Sequence, residues 1–284
     1  MQRFRPTAPH ETIAGTYAVG MVDAAIDGYV IDREVGRGGH ATVYRAHARS
    51  HPERTVALKV LGQDHRGSAE QARLNREFGF AHRLRHPHIV TMYERGPFWL
   101  AMQFVDGGKS TQLRRVEDRL TALAQIADAL DYMHRQGIVH SDVKPANILV
   151  AKDFSHSGAC LIDFSVAHAV VDDVFRRPKE LQASLPYVAP EMLRGHAPTA
   201  ATDEYALACC AVELLTGAPP FVADNSEELV KAHLRGIPPR TSCRVDWGSR
   251  AFDTVVARAM ARDPEVRYQS CAEFVEHITR VVAA

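Results

Sequence analysis

Ile138-Val-His-Ser-Asp-Val-Lys-Pro-Ala-Asn-Ile-Leu-Val150 sets several polar side chains in a short loop between two apolar runs. Asp142 and Asn147 bracket the loop, where a carboxylate can meet a substrate hydroxyl and an amide oxygen can meet a metal ion. Lys144 lies between them and can neutralise a phosphoryl group during its transfer. Asp and Asn are ordinarily turn formers, but this order of polar groups between apolar strands indicates a phosphoryl-transfer site.

A second acidic group follows in Leu161-Ile-Asp-Phe-Ser165, at the end of a short predicted strand. The Asp163 carboxylate can supply one oxygen ligand to a divalent cation, and Asn147 can supply another. Hard cations such as Mg²⁺ prefer oxygen ligands and keep several of their waters. The sequence therefore predicts a Mg²⁺ site at Asn147 and Asp163, with Mn²⁺ as the alternative cation.

A glycine-rich segment, Gly36-Arg-Gly-Gly-His-Ala-Thr-Val43, lies between two predicted strands. Glycines let backbone amides approach phosphate oxygens without an intervening Cβ. A glycine-rich hairpin is often only a turn, but strands on both sides argue against a dinucleotide-binding loop, which would open a helix. The predicted phosphate contacts are Gly36, Arg37, Gly38 and Gly39.

The third predicted strand, Thr55 to Leu61, carries a lysine two residues after a small apolar residue. Ala57 and Lys59 therefore face the same side, offering room for an aromatic base and an ammonium group for phosphates. The alternative is an ordinary surface lysine on an edge strand. Glu77, on the helix predicted next, is the natural carboxylate to hold Lys59.

Periodicity divides the chain into a strand-rich first part and a helical remainder. Strands are predicted at 29–35, 42–46, 55–61, 89–94 and 98–104, with one helix over 68–84 whose N-cap is Ser68. Beyond the Gly107-Gly108 linker, helices are predicted around 120–133 and at 203–215, 226–234, 249–261 and 270–282. This pattern predicts a small β-rich lobe followed by a larger α-rich lobe.

The overall composition narrows the classes of function. Of 284 residues, 34 are Lys or Arg and 34 are Asp or Glu, so no basic field favours nucleic acid or anionic lipid. Five scattered cysteines argue against a disulfide framework, and the N-terminus lacks the apolar region of a signal peptide. The longest apolar stretch, Tyr205 to Leu215, is interrupted by Glu213 and is too short to span a bilayer. We therefore expect a cytoplasmic protein with no membrane span and no nucleic-acid partner.

The motifs together resemble the eukaryotic-like Ser/Thr protein kinase family found in bacteria, from about Tyr29 to the C-terminus. The resemblance is carried by Val56-Ala-Leu-Lys59, His140-Ser-Asp142, Lys144, Asn147, Asp163-Phe-Ser165, Ala189-Pro-Glu191, Asp203 and Arg267, in family order and spacing. It implies an α+β bilobal fold, with a small antiparallel β-sheet N-lobe that carries one helix and a larger α-helical C-lobe. The implied boundaries are an extension at 1–27, the N-lobe at 28–105 and the C-lobe at 106–284.

The resemblance also implies roles for individual residues. ATP would lie between the lobes, with Met102 as gatekeeper. Around the adenine would stand the backbone of Gln103 and Val105 and the side chains of Val43, Ala57 and Leu149. Glu191 would pair with Arg267, Asp203 would anchor the catalytic loop, and Ser184 would belong to the substrate-positioning segment. The implied activity is ATP-dependent phosphorylation of Ser/Thr hydroxyls in protein substrates.

Three departures from the family pattern leave other functions open. Ser141 replaces an arginine that receives activation-loop phosphates in many relatives, and no hydroxyl lies between Ser165 and Ser184. We expect activity without loop phosphorylation, the loop being ordered by packing, substrate or a regulatory protein partner. Ser165 and Ala41 replace glycines, and Ser165 loses easy access to positive φ. A pseudokinase scaffold and a small-molecule phosphotransferase of the aminoglycoside type are the alternative functions.

Overall fold

The computed structural model describes residue 26 and residues 28–169 and 184–283. The expected N-terminal extension lies outside the described residues except for Ile26, which is buried against the N-terminal sheet. The loop between Ala169 and Ser184, for which the sequence predicts order without phosphorylation, also lies outside them.

A five-stranded antiparallel sheet with one helix forms the N-terminal lobe. Its elements are β1 (Tyr29–Arg37), β2 (Ala41–Ala48), β3 (His51–Leu61), α1 (Ser68–Ala81), β4 (Met92–Arg95) and β5 (Trp99–Gln103), with strand order β1-β2-β3-β5-β4. The register sets Val43 opposite Lys59 and Ala57 opposite Met102. Strand pairing alone thus brings the glycine-rich turn, the lysine strand and β5 side by side.

Local details of this lobe differ from the sequence expectations. Tyr29 and Ile31 are buried as predicted, but Val35 is 39% exposed because register shifts in β1 break the alternation between Ile31 and Gly36. The strand predicted at 89–94 begins only at Met92, since the chain at Ile89 pairs instead with Leu161. Ser68 is the first residue of α1 rather than its cap, and Gly67 occupies the N-cap position.

Helices dominate the C-terminal lobe. They are α2 (Val116–Arg135), α3 (Phe154–Ser157), α4 (Pro190–Leu193), α5 (Ala200–Thr216), α6 (Ser226–Arg235), α7 (Arg250–Ala259) and α8 (Cys271–Val282). Short strands β6 (Gly107–Lys109), β8 (Ile148–Ala151) and β9 (Ala159–Leu161) form one sheet, and β7 (Ile138–Val139) pairs with β10 (His168–Ala169). In the described parts of the chain no helix combines the length and apolarity needed to cross a membrane.

The central helix α5 carries Asp203, one of the predicted site residues. It starts at Ala200 rather than at Asp203, because Thr199 and Thr202 form a capping box that closes its N-terminus. Nearly all of its residues are buried, and it packs against α2, α7 and α8. Asp203 is therefore held in the first turn of a helix enclosed by the core.

Candidate active site

One ion-pair network links β3, α1 and the segment after β9. The Lys59 ammonium lies 2.8 Å from both carboxylate oxygens of Glu77 and 3.2 Å from Asp163 Oδ1. The Glu77 side chain is 2% exposed and that of Lys59 is 16% exposed, so solvent screens these charges little. The structure thus brings together three of the predicted site residues, two of them 104 positions apart.

The charges in this network are mutually stabilised. Burial lowers the pKa of Lys59, but the carboxylates of Asp163 and Glu77 outweigh burial and raise that pKa above its usual range. Burial alone would raise the pKa of Asp163, yet the ammonium and a hydrogen bond from Ser165 hold it well below its usual range. Burial raises the pKa of Glu77, and the Lys59 ammonium opposes that effect. Lys59 and Asp163 are therefore both charged at neutral pH.

A second cluster surrounds Asp142 in the loop after β7. Lys144 Nζ lies 2.8 Å from Asp142 Oδ2, and the Ser184 hydroxyl donates to Asp142 Oδ1 at 2.6 Å. Lys144 also donates to the Ser184 hydroxyl oxygen at 2.8 Å. The Asn147 amide nitrogen donates to Asp142 Oδ2 at 3.0 Å and to its carbonyl at 2.8 Å. A serine hydroxyl therefore sits directly on the carboxylate predicted to receive a substrate proton.

The donor atoms of the predicted metal site fit a hard cation. Because the Asn147 nitrogen is used by Asp142, its amide oxygen is the atom left to bind a cation. Asp163 Oδ1 accepts from Lys59 and Ser165, whereas Oδ2 makes no hydrogen bond to any described residue. The Ile162 amide donates to the Asn147 carbonyl at 2.9 Å, which joins the two ligand-bearing segments. The metal-binding roles stay predictions.

The catalytic loop is tied to α5 through Asp203, as the resemblance implies. The Asp203 carboxylate accepts hydrogen bonds from the amides of His140 and Ser141, each at 2.8 Å. Ser141 has a φ of 66°, a left-handed conformation that is strained for serine and that these bonds help to hold. His134 also lies 2.8 Å from Asp203 Oδ2. This contact of His134 was not predicted, since helical periodicity marked α2 only as a core helix.

An open cleft of about 920 Å³ runs from the glycine-rich turn to Ser184. Its lining includes Gly36, Arg37, Gly38, Gly39, Val43, Lys59, Glu77, Asp142, Lys144, Asn147, Asp163 and Ser184. The remaining adenine-contact residues predicted from the resemblance, Ala57, Met102, Gln103, Val105 and Leu149, are not among its lining residues. Ala57 and Met102 are paired across β3 and β5 and are 7% and 8% exposed, so their adenine contact stays a prediction.

A buried ion pair between Arg267 and Glu191 contacts Thr202, a residue of the cleft lining. Both terminal nitrogens of Arg267 donate to the Glu191 carboxylate at 2.8 Å, and the Thr202 hydroxyl adds a third hydrogen bond. Burial raises the pKa of Glu191, but the Arg267 guanidinium outweighs it and leaves the pKa below its ordinary value. The pairing therefore has the geometry that the resemblance implies.

The segment that carries Ser184 has a second anchor that was not predicted from the sequence. The Tyr187 hydroxyl donates to Glu213 Oε2 at 2.6 Å. Glu213 is the one charged residue that interrupts the apolar stretch Tyr205 to Leu215, so its position was visible as a signal. A carboxylate within a core helix needs a partner, and the sequence alone does not name that partner.

The comparisons with known proteins agree with this geometry. The protein kinase domain model matches residues 29–279. Serine/threonine-protein kinase PknJ of Mycobacterium tuberculosis is 41% identical over 260 residues, covering 87% of this chain and 44% of that protein. PknF of the same species is 40% identical, and the match covers 87% of this chain and 55% of PknF. PknD of that species is 38% identical, and the match covers 90% of this chain and 40% of PknD.

The chain spans about half the length of these curated relatives, or less. The match nevertheless covers both lobes and every motif that carries the resemblance. The antiparallel N-terminal sheet and the helical C-terminal part are those that the resemblance implies. The chain belongs to the protein kinase family, among the eukaryotic-like Ser/Thr kinases of bacteria.

Proposed function

We propose that this chain transfers the γ-phosphoryl group of Mg·ATP to Ser or Thr hydroxyls of protein substrates. The observation that carries the proposal is the cluster at Asp142, where the Ser184 hydroxyl donates to the carboxylate at 2.6 Å. An acceptor hydroxyl of a substrate therefore fits as a donor to Asp142 Oδ1. Lys144 stands beside it and can compensate negative charge on the incoming phosphoryl group.

Each group then has one task. Asp142 orients the acceptor hydroxyl and takes its proton on a carboxylate oxygen as the new P–O bond forms. The bond between the γ-phosphorus and the bridging oxygen of ATP breaks in the same step, and ADP leaves. Lys59, held by Glu77, binds the α- and β-phosphates, and the glycine-rich turn covers them with backbone amides. The positive charge of Lys144 stabilises the transferring group. The acceptor is a side chain of a protein rather than a small molecule, because the cleft continues past Asp142 along Tyr187 and Val188.

Members of the family use ATP and a divalent metal ion, generally Mg²⁺. The free oxygens of Asn147 and Asp163 would hold Mg²⁺ in this chain, and the bound cation would neutralise phosphate oxygens. Asp163 stays ionised through its contact with Lys59, which keeps it a ligand at neutral pH. We place the lobe boundary at 105/106, immediately before β6.

The proposal is tested by two variants with different expected defects. Asp142→Ala should abolish phosphate transfer from radiolabelled ATP to myelin basic protein while leaving Mg·ATP affinity within about twofold, because Asp142 binds neither base nor metal. Asp163→Ala should instead lose Mg·ATP binding, since it removes a metal ligand and a partner of Lys59. Binding is measured by titration calorimetry with a non-hydrolysable analogue.

A matched control is Asp128→Ala on the exposed face of α2, where the carboxylate pairs with His86 and neither residue lines the cleft. It should retain parental transfer and binding. Mg·ATP binding without transfer in the parent would favour the pseudokinase scaffold. Transfer to an aminoglycoside but not to protein would favour the small-molecule phosphotransferase. Near-parental turnover in both active-site variants would refute the catalytic assignment.

A further inference from the structure

Three side chains of different metal-binding types meet where α2 lies against the start of α8. Asp131 and His134 are three positions apart on one face of α2, and Cys271 is the first residue of α8. One carboxylate oxygen, one ring nitrogen and the sulfur lie within 4.8 Å of one another. None of the three residues lines the cleft, so this cluster is separate from the predicted Mg²⁺ site.

A neighbouring carboxylate determines how the imidazole is presented to the cluster. His134 Nε2 lies 2.8 Å from Asp203 Oδ2, so Nε2 carries the ring hydrogen and donates it. His134 Nδ1 faces Asp131 Oδ1 at 3.8 Å, which is too long for a hydrogen bond. In the neutral ring, Nδ1 therefore presents a lone pair to the cluster. A carboxylate on the far nitrogen is the arrangement that orients metal-binding histidines in proteins.

The Asp131 carboxylate can still bind a cation although it caps α8. Its Oδ1 accepts from the Cys271 amide at 2.9 Å, and its Oδ2 accepts from the Ala272 amide at 3.0 Å. Each oxygen of a carboxylate has two lone pairs, so each keeps one for a cation. The two amide bonds also hold the carboxylate beside Cys271, so two of the three ligands are fixed relative to each other.

The charges of the cluster are those that a divalent cation neutralises. Cys271 is 1% exposed, and burial together with neighbouring carboxylates, Asp131 first among them, raises the pKa of its thiol well above the usual range. Without a cation the thiol therefore keeps its proton. A divalent cation reverses this balance, because one thiolate and one carboxylate cancel its two positive charges. The thiol proton is then released to solvent as the metal–sulfur bond forms.

We propose that Asp131, His134 and Cys271 form a zinc site, with a water molecule as the fourth ligand. Zn²⁺ takes sulfur and imidazole nitrogen, whereas Mg²⁺ prefers oxygen ligands, so Mg²⁺ does not compete for this site. Tetrahedral Zn²⁺ needs its ligand atoms about 3.5 Å apart, so these side chains converge by at most about 1.3 Å on binding. The side chains of Asp131 and His134 are each 12% exposed, which gives the ion and its water a way in from solvent.

The bound ion would join two helices that are distant in the sequence. Its ligands come from α2 and α8, and His134 connects it to Asp203, which holds the backbone of the catalytic loop. An ion that binds only the folded chain shifts unfolding to higher denaturant concentration, so Zn²⁺ should stabilise the protein against urea. The inference goes beyond the proposed kinase function and does not depend on phosphate transfer.

Cobalt(II) is a direct spectroscopic probe of this ligand set. Co²⁺ binds the ligands that Zn²⁺ binds, and with a thiolate in a tetrahedral site it absorbs in the near ultraviolet and in the visible. The reduced full chain is titrated with CoCl₂ in the presence of excess MgCl₂. These bands should saturate at about one Co²⁺ per chain, and ZnCl₂ added afterwards should remove them.

Two cysteine variants separate the site from adventitious metal binding. Cys271→Ser keeps the size of the side chain without the thiolate. It should lose the near-ultraviolet band and bind Zn²⁺ at least about a hundredfold more weakly in titration calorimetry. Cys243→Ser is the matched control, because Cys243 is exposed while the other four cysteines are buried. The control should match the parent in both measurements.

Urea unfolding with and without ZnCl₂ gives a second readout. The midpoint should rise with Zn²⁺ in the parent and in Cys243→Ser, and it should stay unchanged in Cys271→Ser. Asp131→Asn, which keeps an acceptor for the α8 amides, should also weaken Zn²⁺ binding, and it decides the matter if circular dichroism shows Cys271→Ser to be unfolded. A parent without the thiolate band would overturn the proposal and leave a protonated His134 between Asp131 and Asp203 as the occupant. A band that persists in Cys271→Ser, or that is lost in Cys243→Ser, would overturn it as well.

Discussion

Replacement of Arg267 by methionine is a sharp test of how the C-terminal lobe holds together. The Arg267 side chain is 0% exposed and that of Glu191 is 5% exposed, so both charges depend on each other rather than on water. Arg267→Met leaves the Glu191 carboxylate buried with only the Thr202 hydroxyl as a side-chain donor among the described residues. Removing one member of a buried pair typically costs about 3–5 kcal/mol, a large part of the total stability of a domain.

The reciprocal substitution, Glu191→Gln, should lower the free energy of unfolding much less. In Glu191→Gln, Arg267 keeps its bonds to the carbonyls of Ala261 and Ala201, at 2.9 and 2.7 Å, and the amide oxygen can still accept one bond. The expected loss is about 1–2 kcal/mol. In the double variant no carboxylate remains at position 191. The free energy of unfolding should therefore fall by less than the sum of the two single-variant losses, the difference being at least about 1 kcal/mol.

Urea unfolding followed by circular dichroism measures all three variants. The midpoint for Arg267→Met should fall by about 1–2 M at neutral pH. The folded-state pKa of Glu191 is depressed, so its ionic contribution is present above the unfolded value of 4.5 and is lost as pH falls through the folded value. The difference between parent and Arg267→Met should therefore shrink below pH 4.5. Equal losses in the two single variants, or a loss below about 1 kcal/mol for Arg267→Met, would refute this reasoning.

Three further outcomes are expected. Lys59→Met should lower transfer at least about a hundredfold in the assay on myelin basic protein, because it removes the phosphate contact and leaves Glu77 buried without its partner. Burial raises the pKa of Glu204 from 4.5 to about 8, so between pH 4.5 and about pH 8 the protein takes up a proton when it folds. The free energy of unfolding should therefore fall as the pH rises through this range, by at most about 1.4 kcal/mol per pH unit. Urea unfolding of Glu204→Gln should show a flatter pH profile; an unchanged slope would contradict this. Phosphatase treatment should leave transfer unchanged, since the sequence has no hydroxyl between Ser165 and Ser184; a loss that ATP preincubation restores at Ser184 would contradict it.

The arrangement of lobes was predictable because it follows from local periodicity. Strand-like alternation precedes helical spacing in the chain, and the polar groups of the catalytic loop interrupt apolar runs at recognisable points. The start of β4 was not predictable, since Ile89 satisfies its strand propensity by pairing with Leu161 in the other lobe. The exposure of Val35 likewise follows from a bulge, which depends on the partner strand.

The features that could not be predicted depend on contacts between residues that are distant in the sequence. Lys59 and Glu77 were paired from the sequence because Glu77 is the natural carboxylate on the helix that follows the lysine strand. The bond from Tyr187 to Glu213 and the one from His134 to Asp203 join different elements, and nothing in either local pattern names the partner. Buried charges were recognisable in the sequence as exceptions to an apolar pattern, while the fold determined what neutralises them.

The replacement of glycine by Ser165 bears on whether the site can work. Ser165 lacks the easy access to positive φ that a glycine has. In this segment the positive φ occurs at Asp163, with a value of 65°. Among the described residues other than glycine, only Asp163 and Ser141 have positive φ, and both lie at the site. Asp163 is held there by Lys59 and the Ser165 amide, and Ser141 is held by Asp203. A Cβ at position 165 therefore brings no backbone strain in this conformation, and Ser165 is no reason to assign the chain to the scaffolds.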